Sequence, residues 1–111
     1  LLHDADARRR QAERALLDAL ASSARAYGPQ HEFTATLHFN LAGHYSQHRD
    51  WKRAEVHCRK ALDVYELQPS HQDSKLSLAL NLHAQVLDQI SGRKREAQAQ
   101  RKRAAAILAL Q

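Results

Sequence analysis

The chain has 111 residues, enough for about one domain, and only 5% of them are aromatic. With three glycines, two prolines and abundant Ala, Leu, Arg, Gln and Glu, its composition favours helices and nearly excludes strands. Its net charge of +5 favours acidic partners, and a membrane span is excluded because no apolar run approaches the ~18 residues that one requires.

Three amphipathic helices are predicted first, because apolar residues recur every three or four positions. They cover about residues 4–26, 31–48 and 51–67. Asp50 is the predicted N-cap of the third helix, and Pro69 is its predicted stop. In chain order, the apolar stripes are Ala12, Leu16, Ala19 and Leu20; Leu37, Leu41, Ala42 and Tyr45; and Trp51, Ala54, Cys58, Ala61, Leu62 and Tyr65.

Two further helices are predicted over about residues 71–90 and 93–110, from stripes that include Leu82 and Ala104. Ser70 with Asp73 resembles a capping box at the start of the fourth helix, and Gly92 breaks the chain before the fifth. The prediction is therefore a single all-α domain of five helices over residues 1–111.

The sequence also repeats itself with a period of about 42 residues. Ala12-Glu13 returns as Ala54-Glu55, and Asn40-Leu41 returns as Asn81-Leu82. Self-similarity at a fixed period indicates that one helix pair is stacked on the next, as in a solenoid.

The second and third predicted helices form a pair with a more specific pattern. Large and small residues alternate in it, so that the two helices can approach closely. It resembles the tetratricopeptide repeat consensus, and the period with the linkers at 27–31 and 68–71 resembles the kinesin light chain type. The second pair departs from the consensus at His83 and Val86. The resemblance implies a right-handed α-solenoid of about two and a half repeats. The matching residues are Leu41, Ala42, Tyr45, Ala54, Cys58 and Ala61.

The resemblance also implies a protein–protein interaction scaffold, in which the first helix of each pair lines a concave peptide-binding groove. Asn40 and Asn81 would bond a peptide main chain, because a carboxamide both donates and accepts hydrogen bonds. Phe39 and Leu80 would form pockets, and they stand where chaperone-binding members carry Lys, so a chaperone-tail receptor is not expected. The implied groove residues are Thr36, Phe39, Asn40, Gly43, Gln47, Ser77, Leu80, Asn81, Ala84 and Asp88.

An alternative for the two Asn side chains is that they only bond a neighbouring helix or water. The positive charge favours a partner protein or peptide with acidic residues. About three repeats are needed for a stable solenoid, so we expect adjoining repeats or a homo-oligomer. The sequence has no signal-peptide pattern and no Met, which predicts a piece of a longer chain.

The single cysteine, Cys58, has no mate for an internal disulfide and lies in an apolar stripe, so we expect a small core residue rather than a nucleophile. A reducing compartment follows, with the cytoplasm expected and the nucleus as the alternative. No catalytic motif appears in the sequence, so we expect neither an enzyme nor a cofactor.

Two features of the sequence suggest other binding activities. Nucleic acid or another polyanion could bind the basic runs at residues 8–10, 93–95 and 101–103, but no aromatic residues interleave them for base stacking. His44 and His48 have a zinc-chelating spacing, but no carboxylate completes the set. We therefore keep polyanion binding as the alternative function and expect no metal.

Overall fold

The computed structural model describes residues 2–67 and 73–110. Five helices occur in these ranges, which confirms the predicted all-α class, and no strand occurs there. The predicted stop at Pro69 and the capping side chain of Ser70 lie outside the described residues. The helices are α1 (Leu2–Tyr27), α2 (Glu32–Gln47), α3 (Trp51–Leu67), α4 (Asp73–Asp88) and α5 (Lys94–Ala109).

The turns between helices follow from local side-chain and backbone chemistry. Asp50 caps α3 as predicted, because its Oδ1 accepts a hydrogen bond from the Arg53 backbone N–H at 3.2 Å. Gly28 and Gly92 follow α1 and α4 with φ of 92° and 79°, a left-handed conformation that glycine adopts without steric cost. Arg49, after α2, has a φ of 61° although it is not glycine.

The helices pack in chain order, with α2 against α3 and α4 against α5 as the two closest pairs. Contacts of α1 with α2, and of α4 with both α2 and α3, join these pairs into one stack. Ala42, Ala54 and Ala61 are fully buried, so the small residues do lie where the two helices of the first pair approach each other.

One apolar cluster holds the first helix pair together. Its buried members include Leu41, Tyr45 and Cys58, and Leu16 and Leu20 of α1 pack against it. Burial raises the pKa of the Cys58 thiol to about 12, because the thiolate would lose its hydration. Cys58 is therefore a core side chain, as its place in the stripe predicted.

A second cluster joins the first pair to the last two helices, and it contains Tyr65, Leu80 and Ala104. At the start of the stack, the Ser23 and Thr34 hydroxyls are 2.8 Å apart and tie α1 to α2. Among the helices described, none is both long enough and apolar enough to cross a bilayer.

Candidate functional site

The solvent-exposed face of α2 carries three of the ten predicted groove residues. Asn40 and Gln47 are exposed and Gly43 is half-buried, at the three-four spacing of one helix face. The opposite face is buried against α1, α3 and α4. It consists of Thr34, Ala35, His38, Leu41, Ala42 and Tyr45.

The amides on this face are available to a ligand. The side chains of Asn40 and Gln47 make no hydrogen bond within the described part of the chain. Beside them, a Cβ placed on Gly43 would meet nothing within 4 Å, so the backbone there borders open space. Thr36 is less available, because its Oγ1 lies 3.0 Å from the Tyr65 hydroxyl.

The predicted α4 residues are only partly open to solvent. Asn81 is half-buried, and its amide has no side-chain partner among residues 2–67 and 73–110. Asp88 is ion-paired with Arg101 of α5. That pairing neutralises the one acidic group among the predicted groove residues.

Ser77, Leu80 and Ala84 require a correction, because all three are buried and do not line an open groove. Leu80 and the half-buried Phe39 pack into one apolar cluster, so the predicted pockets are filled by the protein itself. The physical reason is that α4 contacts α2, α3 and α5, which buries a wider arc of this helix than a single pairing would.

A protein-family model for the tetratricopeptide repeat matches residues 5–66, which is more than half of the chain. The chain belongs to the tetratricopeptide repeat family. Neither the curated proteins nor the solved structures contain a match. Repeats of this family generally mediate protein–protein interaction and are typically non-enzymatic scaffolds. The kinesin light chain type stays a prediction.

The matched residues of the tetratricopeptide repeat end before α4, where His83 stands at a position that the consensus reserves for a small residue. His83 is buried, with its Nε2 at 2.8 Å from Glu55 Oε2 and its Nδ1 at 2.9 Å from Gln100 Nε2. These two bonds connect α4 to both α3 and α5. A buried polar network therefore stands where the consensus has a small residue, and sequence reasoning missed it because its members are far apart in the chain.

The same network contains the atoms of a conceivable metal site. Ligand atoms of Glu55, His83 and Glu96 lie within 4.8 Å of one another. However, Arg59 Nε bonds Glu55 at 2.6 Å, and Arg93 bonds Glu96 at 2.8 Å. Two guanidinium groups thus already neutralise the two carboxylates, and a cation would have to enter between them. The arrangement fits an ion-pair network better than a metal centre.

The histidine pair with a zinc-chelating spacing in the sequence, for which no metal is expected, is His44 with His48, whose ring centroids are 4.7 Å apart. Within the described ranges, no third Cys, His, Asp or Glu places a ligand atom close enough to complete a site with them. Zinc in proteins usually takes three or four protein ligands. The pair alone therefore gives no basis for a metal proposal.

Binding of nucleic acid or another polyanion, the alternative function, is weakened because some of the predicted basic residues form ion pairs within the protein. Arg93 is paired with Glu96, Arg101 with Asp88, and Arg103 with Glu66 at 2.8 Å. Three guanidinium groups of the predicted basic runs at and within α5 are thus already neutralised. Lys94, Arg95 and Lys102 stay exposed without a described ion pair, and so does the run at residues 8–10 of α1.

A partly buried histidine pair lies between α2 and α3. His38 Nδ1 is 2.9 Å from His57 Nδ1, so one nitrogen donates and the other accepts. Burial lowers the pKa of His38 to about 4, and the charges of His57 and Lys60 act in the same direction. Burial, with Lys60, also lowers the pKa of His57. Both rings are therefore neutral at pH 7.

Proposed function

We propose that this tetratricopeptide repeat binds a segment of a partner protein along the exposed face of α2, beside Asn81 of α4. The observation that carries the proposal is the set of unpartnered amides. Asn40, Gln47 and Asn81 have no side-chain hydrogen bond among the described residues. Gly43 leaves open space between the first two.

An unpartnered amide suits the recognition of a peptide main chain. A carboxamide donates from its nitrogen and accepts at its oxygen, so one Asn can bond the N–H and the C=O of an extended segment. The bare backbone at Gly43 would let that segment approach α2 closely. The alternative, in which the amides serve the protein's own structure, is weakened because neither Asn40 nor Asn81 bonds a neighbouring described residue.

The net charge of +5 supports a partner segment with acidic residues. Charge complementarity raises the encounter rate and selects against basic partners. Because Asp88 is ion-paired with Arg101, no predicted groove residue presents an unpaired carboxylate to an acidic ligand. We propose the cytoplasm as the site of this interaction.

The test is an affinity pull-down from cell lysate with three proteins. The wild type is compared with Asn40→Ala/Asn81→Ala, and with the control Gln11→Ala/Gln98→Ala, which removes two exposed amides from α1 and α5. Circular dichroism first establishes equal helicity. We expect specific partners to be lost from the groove variant and retained by the control.

The opposite result is equally informative. If both variants retain the same partners, and those partners are released only at high salt, then the basic faces bind them and the groove assignment is wrong. A synthetic peptide from the captured partner then tests the charge preference. Replacing its Asp and Glu by Asn and Gln should weaken binding at low salt, and unchanged affinity would contradict the acidic preference.

A further inference from the structure

A polar cleft of about 530 Å³ lies where α1 faces the turn between α2 and α3. It is distinct from the proposed groove residues on α2 and α4. Its walls come from α1, the end of α2, the turn and the first residues of α3. The lining residues are Arg9, Glu13, His44, Tyr45, His48, Arg49, Asp50, Trp51, Lys52 and Arg53.

The cleft has an excess of positive charge that the protein itself does not neutralise. Of its two carboxylates, Asp50 is ion-paired with Arg53 at 2.6 Å, and Glu13 acts after burial to raise the pKa of the Tyr45 hydroxyl. The other three cationic groups are Arg9, Arg49 and Lys52, and none of them forms an ion pair with another described residue.

His44 and His48 also line the cleft, and their ring centroids are 4.7 Å apart. The pKa of His44 is lowered by burial first and then by His48, while the Glu13 carboxylate raises it and Arg9 lowers it by less. An imidazole N–H can donate a hydrogen bond to an anion, so the two rings add possible donors for a bound phosphate.

Arg49 provides an independent observation. Its φ of 61° lies in the left-handed region, where a side chain is sterically unfavourable. The other two positive-φ positions in the described ranges, residues 28 and 92, are glycines. The turn after α2 therefore carries a guanidinium at a position where glycine would be less strained, and such strain is characteristic of functional positions.

We propose that this cleft binds the phosphate group of a phosphorylated serine or threonine in a partner protein. With four cationic side chains and two carboxylates, the cleft has a net charge of +2, which matches a group with a charge near −2 better than a single carboxylate. The planar donors of Arg9 and Arg49 suit bidentate bonds to phosphate oxygens. A protein-borne phosphate is favoured because repeats of this family generally bind proteins. The inference does not require the groove residues.

Trp51 offers a direct assay, because it lines the cleft and is the only tryptophan in the chain. The probe is the capped peptide acetyl-Gly-phosphoserine-Gly-amide, titrated against Trp51 fluorescence at constant ionic strength. Comparison titrations use the same peptide with Ser, the same peptide with Glu, and inorganic phosphate. We expect saturable binding of the phosphopeptide, with the other three at least about tenfold weaker.

Variants locate the binding. Arg49→Gly removes one cation while relieving the strained φ, so lost binding cannot be ascribed to unfolding. Lys52→Ala removes a second cation from the exposed side of α3. The control Lys102→Ala makes the same charge change on α5, outside the cleft. We expect about tenfold or greater loss with Arg49→Gly and Lys52→Ala, and unchanged affinity with the control.

Each other outcome overturns the proposal. Equal losses in all three variants would show diffuse charge attraction, and equal binding of the Glu peptide would show a carboxylate site. Inorganic phosphate binding as tightly as the phosphopeptide would indicate a free anion as the ligand. A single-stranded RNA of about 20 nucleotides that binds more tightly, with the same dependence on Lys52, would replace the phosphoprotein by nucleic acid.

Discussion

The pair His38–His57 should make the fold sensitive to mild acid. The pKa of His38 is lowered from 6.5 to about 4 by burial and by the charges of His57 and Lys60. A lowered His pKa means that the unfolded chain binds the proton first, so protons favour unfolding. This destabilisation of the fold is absent above about pH 6.5 and grows as the pH falls toward 4.

The magnitude follows from the shift. Between pH 6.5 and 5, His38 is protonated in the unfolded chain but not in the folded chain. The free energy of unfolding therefore falls by about 1.36 kcal/mol per pH unit. His38 alone should therefore reduce the free energy of unfolding by about 2 kcal/mol at pH 5, and His57 should add to the loss. For a domain of this size, about 2 kcal/mol lowers Tm by roughly 8–16 °C.

The assay is urea unfolding at pH 7.5 and pH 5, with His38→Asn as the matched variant. Asn keeps a hydrogen-bonding group near the His57 ring but does not titrate. The decrease in the free energy of unfolding between pH 7.5 and pH 5 should therefore be about 2 kcal/mol smaller in the variant. The lowered pKa values of Asp50, Glu55 and Asp88 affect stability mainly at lower pH. Equal pH slopes for wild type and variant would refute the reasoning.

Three further substitutions should change stability in defined directions, each measured by urea unfolding at pH 7.5. Gly43→Ala should stabilise the fold by about 0.5–1 kcal/mol, because the methyl group meets no neighbour and Ala favours helix; a loss would show hidden crowding. Arg49→Gly should raise the free energy of unfolding by about 1 kcal/mol, seen as a higher urea midpoint with an unchanged m-value, and no gain would mean that the positive φ is unstrained. His83→Ala should cost about 2–3 kcal/mol by removing the bonds to Glu55 and Gln100, whereas the exposed control Gln85→Ala should stay within about 0.5 kcal/mol.

The helices could be predicted from the sequence because each depends on local information. The three-four spacing of Leu41 and Tyr45, and the capping side chain of Asp50, act within one or two helical turns. The small residues Ala54 and Ala61 predict a close helix approach, because their spacing along one helix can also be read from the local sequence. Together these signals identified the family as well as the fold class.

The α4 side of the groove could not be predicted in the same way. Periodicity identifies an apolar face, but it does not say how many helices will pack against it. The burial of Ser77, Leu80 and Ala84 depends on the contacts of α4 with three other helices. The family template placed these residues in the groove because it describes a regular repeat, and this pair departs from the regular pattern at His83.

Two polar interactions were equally invisible in the sequence. The His38–His57 pair and the Glu55–His83 pair each join residues from different helices, 19 and 28 positions apart. No local motif marks such pairs, since each residue alone resembles a surface polar side chain. Only the register of the packed helices determines which of them meet.

The most direct test of partner binding in the groove is site-specific photocrosslinking. A photoreactive amino acid is placed at position 40, and in a control protein at position 98, which is exposed on α5. After irradiation in lysate, position 40 should crosslink to an acidic protein segment that position 98 does not capture. Crosslinking of the same proteins from both positions, or from position 98 alone, would contradict the groove as the binding surface.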